Sequence, residues 1–343
     1  MTSAWQDYLL ARGACIDAGA VTDFGDAAAE LRAARDGGIV APLSNLGLIE
    51  CRGVDAQAFL HGQLSNDVKQ LTPERSEYAA YCSAKGRMLA NFLLWQEDSA
   101  YYLQLARSLV PAMQKRLAMF VLRASVKLAD ASESRAILGL AGGAAVAALR
   151  EWFVALPREA HEVVHEPAAG TLIALPGARY QLIAEVETAK RLWDRLAAVL
   201  TPVGTPCWDW LEIRNGIPLI TPATQDQFVP QMANMDLIGA VDFKKGCYPG
   251  QEIVARTQYL GQLKRRMVLA HVAADAAPKP GDELFSSALE GQASGMVVNA
   301  QTAPDGGYDL LAVIQTASIA QATVRLKSAA GPGLDIQPLP YQI

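Results

Sequence analysis

A tight reversal at Ala84-Lys85-Gly86-Arg87 separates two apolar runs, 77–81 and 88–95, each too short for a helix of useful length. Glycine at 86 suits the turn, and the flanking runs read as strands. A third strand, 101–105, follows closely. Strands joined by so few residues pair antiparallel, because a parallel pair needs a crossover of about a dozen residues or more. Helical spacing appears on both sides of this meander. Residues 54–64 place Phe59, Leu60 and Leu64 inward, and 111–123 continue a stripe of Leu109, Met113, Leu117 and Phe120. Further strands are expected at 135–140, 172–175 and 180–184, and helices near 144–153 and 187–200. Antiparallel strands mixed with helices predict an α+β fold rather than a doubly wound sheet.

Beyond Pro278 the texture changes. Short apolar runs at 295–298, 310–314 and 322–326 alternate with glycine and proline turns and show no helical period, which reads as a small β-barrel domain. The expected domains are therefore a helical or irregular lead-in over 1–38, an α+β core of two interleaved lobes over 39–270, and a β-barrel over 271–343. At 343 residues, 51% hydrophobic and 19% charged, the chain can bury a core of that size.

A net charge of -5 provides no general attraction to nucleic acid or to an anionic membrane. The five cysteines (Cys15, Cys51, Cys82, Cys207, Cys247) are far apart and contain no C-x-x-C pair, so a disulfide framework or zinc ribbon is not expected and a reducing cytoplasm fits best. The N-terminus has no basic segment followed by an apolar run, and no apolar stretch approaches the roughly 18 residues of a membrane span.

Chemistry concentrates at Lys245-Gly246-Cys247-Tyr248-Pro249-Gly250-Gln251-Glu252. Two glycines and a proline predict a stiff loop, and Lys244 and Lys245 bring positive charge that favours thiolate. Cys247 on such a loop suits a nucleophile, a redox group or a soft-metal ligand; the alternative is a packed structural thiol. Other motifs are weaker. His161-Glu162-Val163-Val164-His165 spells H-E-x-x-H, but two β-branched valines and the nearby Pro167 predict a loop entering a strand, not a zinc-binding helix. Gly139-Leu140-Ala141-Gly142-Gly143 lacks the dinucleotide spacing and reads as close packing at a strand–helix turn. Lys244, Lys245, Arg256, Lys264, Arg265 and Arg266 form a basic stretch, read either as solvated surface or as a landing site for a polyanion. Trp208 and Trp210 open a helix running to Asn215, where core packing competes with a stacking shelf for a flat heteroaromatic ligand.

The octapeptide around Cys247 resembles the K-G-C-Y-x-G-Q-E signature of the YgfZ family, folate-binding relatives of the glycine-cleavage T-protein that support iron–sulfur proteins. The segment Phe59-Leu60-His61-Gly62-Gln63-Leu64-Ser65-Asn66-Asp67-Val68 is similar to that family's early helix, and Cys82-Ser83-Ala84-Lys85-Gly86-Arg87-Met88 to its turn. Asn215-Gly216-Ile217-Pro218, the run 227–234 and Pro338-Leu339-Pro340-Tyr341 extend the likeness from about residue 40 to the end. The resemblance implies a three-lobed T-protein-like fold with a central channel for tetrahydrofolate or a folate derivative, polyglutamylated or not, and no stably bound metal. It assigns Cys247, with Lys245, Tyr248, Gln251 and Glu252, to the working loop, and gives Cys247 the further possibility of transient metal ligation. Trp208, Arg214, Leu46, Asn66, Asp67, Lys85 and Gln231 map to the cofactor side. Implied partners are iron–sulfur client enzymes such as tRNA methylthiotransferases, with no sequence-specific nucleic-acid contact and no membrane.

Two positions separate the chain from a true aminomethyltransferase. The T-protein's Asp-Asp pair falls on Ala90 and Asn91, and the carboxylate it presents to the pterin falls on Arg214, which cannot accept hydrogen bonds. A tetrahydrofolate-dependent one-carbon transferase would need another carboxylate, for which Asp209 and Glu212 are the candidates. A binding module in which Cys247 only packs is the third reading.

Overall fold

The computed structural model describes residues 3–259, 261, 263–287, 292–321 and 323–342. The chain divides into two compact units. The first comprises Met1–Ala56, Gln70–Glu77 and Leu93–Leu211; the second comprises Gln57–Lys69, Tyr78–Phe92 and Glu212–Ile343.

In the first unit a six-stranded sheet runs Val163–Glu166, Gly170–Leu175, Arg179–Glu185, Arg135–Ala141, Ile39–Pro42, Thr201–Pro202, antiparallel except for its last pair. Alternation along its strands sends Leu138, Leu140, Leu172 and Leu182 to one face, where they form a core with Trp5, Leu9, Leu149, Leu192, Trp193 and Leu196 from the covering helices. Each of these large apolar side chains contributes about 1.5–3 kcal/mol by leaving water. The other face carries Gly139 and Gln181, which are directly paired. A second sheet places Leu46–Arg52 between Ala100–Ala106 and Lys127–Asp130; Leu93 to Glu97 of the strand Met88–Glu97 pair with Ala100–Ala106 on its other side.

The expected lead-in over 1–38 is built structure. Helix Ala4–Leu10 starts from a Ser3–Gln6 capping box, a hairpin pairs Cys15–Asp17 with Ala20–Asp23, and helix Ala27–Asp36 is capped by Asp26. Trp5, Leu9 and Val21 sit in the core of the first unit, so this segment folds with it. Alanine richness concealed that, because only the sparse large side chains carry the burial. Glu30 pins the segment from inside: it is buried, and its two carboxylate oxygens accept from Phe24 N at 2.6 Å and Gly204 N at 2.8 Å. Glu30→Ala orphans one buried and one half-buried donor and is expected to cost about 2–4 kcal/mol, read as a lowered denaturant midpoint with unchanged slope.

The meander expected from the 84–87 reversal is present as strands Glu77–Cys82, Met88–Glu97 and Ala100–Ala106. The helix expected over 111–123 stops early, at Val110–Ala118: Leu109, Met113 and Leu117 are buried, whereas Phe120 lies past the end and is exposed.

In the second unit six antiparallel strands form a curled half-barrel, ordered Val324–Leu326, Glu283–Ser286, Ala293–Thr302, Tyr308–Gln315, Arg265–Val272, Asp335–Gln337. Val268, Ala270, Leu284, Val297, Leu310, Ala312 and Ile314 fill it. The sheet takes in Arg265–Val272, so it begins before the expected boundary at 271. Ala322, the first residue of one expected strand, lies outside the described residues.

The H-E-x-x-H run is no zinc helix. Val163–Glu166 is a strand, and His161 precedes it at φ 71° with Nδ1 3.1 Å from Ser76 Oγ. His165 is occupied by Thr171 Oγ1 at 3.0 Å and Pro73 O at 2.9 Å. Burial, aided by the charge of Arg75, pushes the His161 pKa down to about 4. The unfolded chain therefore takes up this proton near pH 6.5 while the folded chain resists it, so stability is lost as pH falls from about 6.5 to about 4. The expected loss is about 3 kcal/mol, and His161→Asn, which tolerates the positive φ, removes that part of the slope in denaturation series from pH 7 to 4.

Candidate functional site

Helix Ala56–His61 buries Phe59 and Leu60, then stops, and the chain turns through Gly62 to Asp67. Against this helix end lies the loop 244–250. Lys245 is only 8% exposed; its ammonium donates to the carbonyls of His61 and Leu64, the latter at 2.6 Å, and sits 5.0 Å above the Tyr248 ring. Tyr248 is likewise buried, at 7%. Burial, with a smaller contribution from Cys82, pushes its phenol well above the ordinary tyrosine range, so it stays neutral.

Gly250, at φ 80°, is the loop's other anchor. A Cβ there would meet Ser83 O at 2.3 Å and Gly86 Cα at 2.7 Å, so only glycine lets the loop lie against the 83–87 turn. Gly86, at φ 70°, in turn approaches Ile253 at the start of helix Gln251–Tyr259. Gln251 donates from Nε2 to Lys245 O at 3.4 Å, and Glu252 is exposed in the helix's first turn, where a carboxylate complements the dipole. Cys247 and Gly246 are exposed between buried Lys245 and Tyr248.

Lys245 was expected to supply charge to the thiol. Its ammonium is instead directed to two backbone carbonyls, which makes it first a clamp on the loop. Burial pushes the thiols of Cys51, Cys82 and Cys207 up to about 12, and a hydrogen bond to Asp23 raises that of exposed Cys15.

Sequence reasoning missed His61 as a site residue. Its Nδ1 lies 2.9 Å from Asp67 Oδ1, and its Nε2 faces Gly246 so closely that a Cβ there would come within 3.3 Å. Burial and the Lys245 charge push the His61 pKa down, with Asp67 opposing. No regular spacing links His61 to Asp67; the contact exists because the helix ends at His61.

The cofactor-side residues fall into two groups. In the second unit, Asn66 donates to Tyr78 O at 2.8 Å and Gly239 O at 2.9 Å, Lys85 is exposed on the 83–87 turn, and Gln231 is buried with Nε2 donating to Val254 O at 2.7 Å. Arg214 bonds Gln337 and lies 3.6 Å from Asp309, which also receives His271 at 2.8 Å. These bonds give Asn66, Gln231 and Arg214 supporting roles in the fold.

Leu46 and Trp208 belong to the first unit. Trp208 is 1% exposed, flat against Gly139 and beneath Arg179, whose guanidinium carbon is 5.1 Å from the ring centroid. It is a core residue, not an open stacking shelf. Glu97 joins the two sheets of this unit, bonding Arg135 and Thr171 at 2.7 and 2.6 Å. The strand pairings put Gln181 on one of the faces so joined, where Trp208 packs over its partner Gly139, and Leu46, Trp95 and Gln104 on the other. Four buried polar atoms here, Oε1 of Gln104 and Gln181 and Nε1 of Trp95 and Trp208, have no hydrogen-bond partner among the described residues. Two acceptors and two donors stand unused where desolvation is costly.

The positions of the T-protein's acidic pair are Ala90, buried, and Asn91, whose amide ties Pro218 O at 2.7 Å and Ile220 N at 2.8 Å. Asp209 accepts from Asn45 at 2.9 Å. Among the described residues no group of three His, Cys, Asp or Glu side chains is arranged to hold a metal ion, and no helix is long and apolar enough to cross a membrane.

Residues 20–165 match the GCVT N-terminal domain family. The glycine cleavage system aminomethyltransferase T from Bartonella henselae superposes with a TM-score of 0.83, covering 99% of this chain and 97% of that one at 17% identity. A sarcosine oxidase chain from Corynebacterium sp. U-96 covers 50% of this chain and 92% of that one, at 18% identity and a TM-score of 0.36. The fold is therefore that of the aminomethyltransferase T-proteins. Within it, the tRNA-modifying protein YgfZ of Klebsiella pneumoniae (strain 342) is 33% identical over 303 residues, 88% of this chain and 92% of that protein. The chain belongs to the YgfZ family.

Proposed function

We propose that this chain is a cytoplasmic, folate-binding accessory protein that maintains iron–sulfur enzymes of tRNA modification, with Cys247 as its working thiol. One observation carries the reading: Cys247 is exposed on a loop whose flanking side chains, Lys245 and Tyr248, are buried and anchored. A chain that only packed this cysteine would bury it, as it does Cys51, Cys82 and Cys207. The relative's name supplies the tRNA-modification context. A cluster normally takes four protein ligands, so Cys247 acts together with a client's ligands, as a redox group or a transient ligand.

The proposed binding place of a reduced folate is the layer between the sheets of the first unit, on the strength of its four unpartnered polar atoms. The pterin offers both N–H donors and ring acceptors, matching the amide oxygens of Gln104 and Gln181 and the indole N–H groups of Trp95 and Trp208. When bound, the folate supplies a one-carbon or redox-active carrier; these side chains would orient it and keep water away. One-carbon transfer as the main activity is less favoured, since Ala90 and Asn91 offer no acid or base and Asp209 is already bonded to Asn45.

The test is complementation of a strain lacking its own family member, scored by methylthiolated tRNA, beside titration of the purified chain with tetrahydrofolate followed by tryptophan fluorescence. Restoration together with quenching supports the reading. Failure of restoration removes the iron–sulfur role, and failure of quenching removes the folate.

A further inference from the structure

Nine large hydrophobic side chains stand exposed among the described residues, and four of them lie on two segments of the first unit that meet at Ser125: Val54 (91%) on one, and Met119 (58%), Phe120 (42%) and Leu122 (88%) on the other. The spot is a built tip. Gly53, at φ 130°, comes so close to Ser125 that a Cβ would lie 1.9 Å from its carbonyl oxygen, and Asp55 Oδ2 accepts from Ser125 N at 2.7 Å. Residues on both sides of Val54 are thereby tied to the loop that carries Leu122.

Leu122 is the informative member. It holds φ at 47°, in the left-handed region that a bulky side chain enters only at a cost, and it places its side chain almost wholly in water. Asparagine or glycine would take that backbone more easily. The fold gains from neither the strain nor the exposure, and strain retained at the surface points to a binding role.

The charge around the tip is mostly basic, with exposed Asp55, bonded to Ser125, as its carboxylate. From residue 99 to 129 there is no Asp or Glu, while Lys115, Arg123 and Lys127 are exposed, in a chain whose net charge is -5. A basic rim around projecting apolar anchors complements an acidic surface with an apolar groove. RNA would use the cations but has no groove for four aliphatic and aromatic anchors.

We infer that Val54, Met119, Phe120 and Leu122, rimmed by Lys115, Arg123 and Lys127, dock an acidic protein partner whose apolar groove receives them. This rests on the proposed function in one respect: the partner is the iron–sulfur client enzyme that the chain serves. The tip lies apart in sequence from the Cys247 loop, so the two can fail separately.

The experiment titrates a purified cluster-loaded tRNA methylthiotransferase onto the full chain and onto Leu122→Asn, Val54→Asn and the double variant Lys115→Glu/Lys127→Glu, with thermal melts of each. Bulk tRNA and phosphatidylglycerol-containing vesicles are titrated in parallel. Expected is binding of the enzyme that falls at least tenfold in Leu122→Asn while its melting temperature holds or rises, and that weakens with added salt in the native chain. Equal enzyme binding by native chain and variants overturns the proposal, as does no enzyme binding by the native chain. Binding only to tRNA or only to vesicles overturns it too, by identifying another occupant. If Leu122→Asn lowers stability, Val54→Asn, at a position of negative φ, gives the same reading. A Cys247→Ser chain still binds the enzyme if docking is right, whichever way the thiol reading falls.

Discussion

Cys247→Ser is expected to leave the fold intact and to abolish the restoration of methylthiolated tRNA. The side chain is exposed, and an exposed substitution of this size changes stability by no more than about 0.5 kcal/mol. The chemistry is altered far more than the packing. A serine hydroxyl is neither ionised near neutral pH nor a soft ligand, so every role proposed for the thiol ends together. The measurement is the ratio of methylthiolated to unmodified tRNA in the complemented strain, with a denaturation curve of the purified variant alongside. A variant that folds and still restores the modification fully would sink the thiol-centred reading.

Gly250→Ala acts on the same loop from its anchor and is expected to affect stability and function together. The position needs φ 80°, which costs an alanine about 1–2 kcal/mol, and the new Cβ would overlap Ser83 O and Gly86 Cα, both backbone. Overpacking of that kind adds about 1–3 kcal/mol, for a total of about 3 kcal/mol. The clash cannot be relieved by turning a side chain. Either the 83–87 turn or the Cys247 loop moves, and Cys247 is presented differently. Chemical denaturation should show the loss, and iodoacetamide labelling in a Cys15→Ser background should show an altered Cys247 rate. An unchanged denaturation midpoint would mean that the loop and turn do not pack as described.

Much of this was legible along the chain. The 84–87 reversal, the three strands around it and the β-rich texture of the last sixty or so residues follow from local propensity and alternation, which act over a few neighbours. The Cys247 loop was legible for the same reason, since two glycines and a proline within eight residues state their own backbone geometry. Phe120 shows where local reading stops. It continues a helical stripe on paper, yet the helix ends at Ala118 and the ring is exposed.

Other features came only from contacts between distant segments. The alanine-rich residues 3–38 gain their order from Glu30 meeting Gly204, and from Trp5 and Leu9 entering a core made by later strands. Lys245 looked like a charge for the thiol because sequence shows proximity along the chain and not direction; its ammonium points to carbonyls 181 and 184 residues earlier. His61 enters the site because a helix ends beside Gly246, and Trp208 leaves the open surface because Gly139 has no side chain to hold it off. The sequence by itself determined the α+β class, the family signature and the stiffness of the Cys247 loop, all properties of contiguous residues. Only the tertiary structure decided which thiols are buried, where Lys245 and His61 point and which surfaces remain exposed, because burial and direction are set by residues far away in the chain.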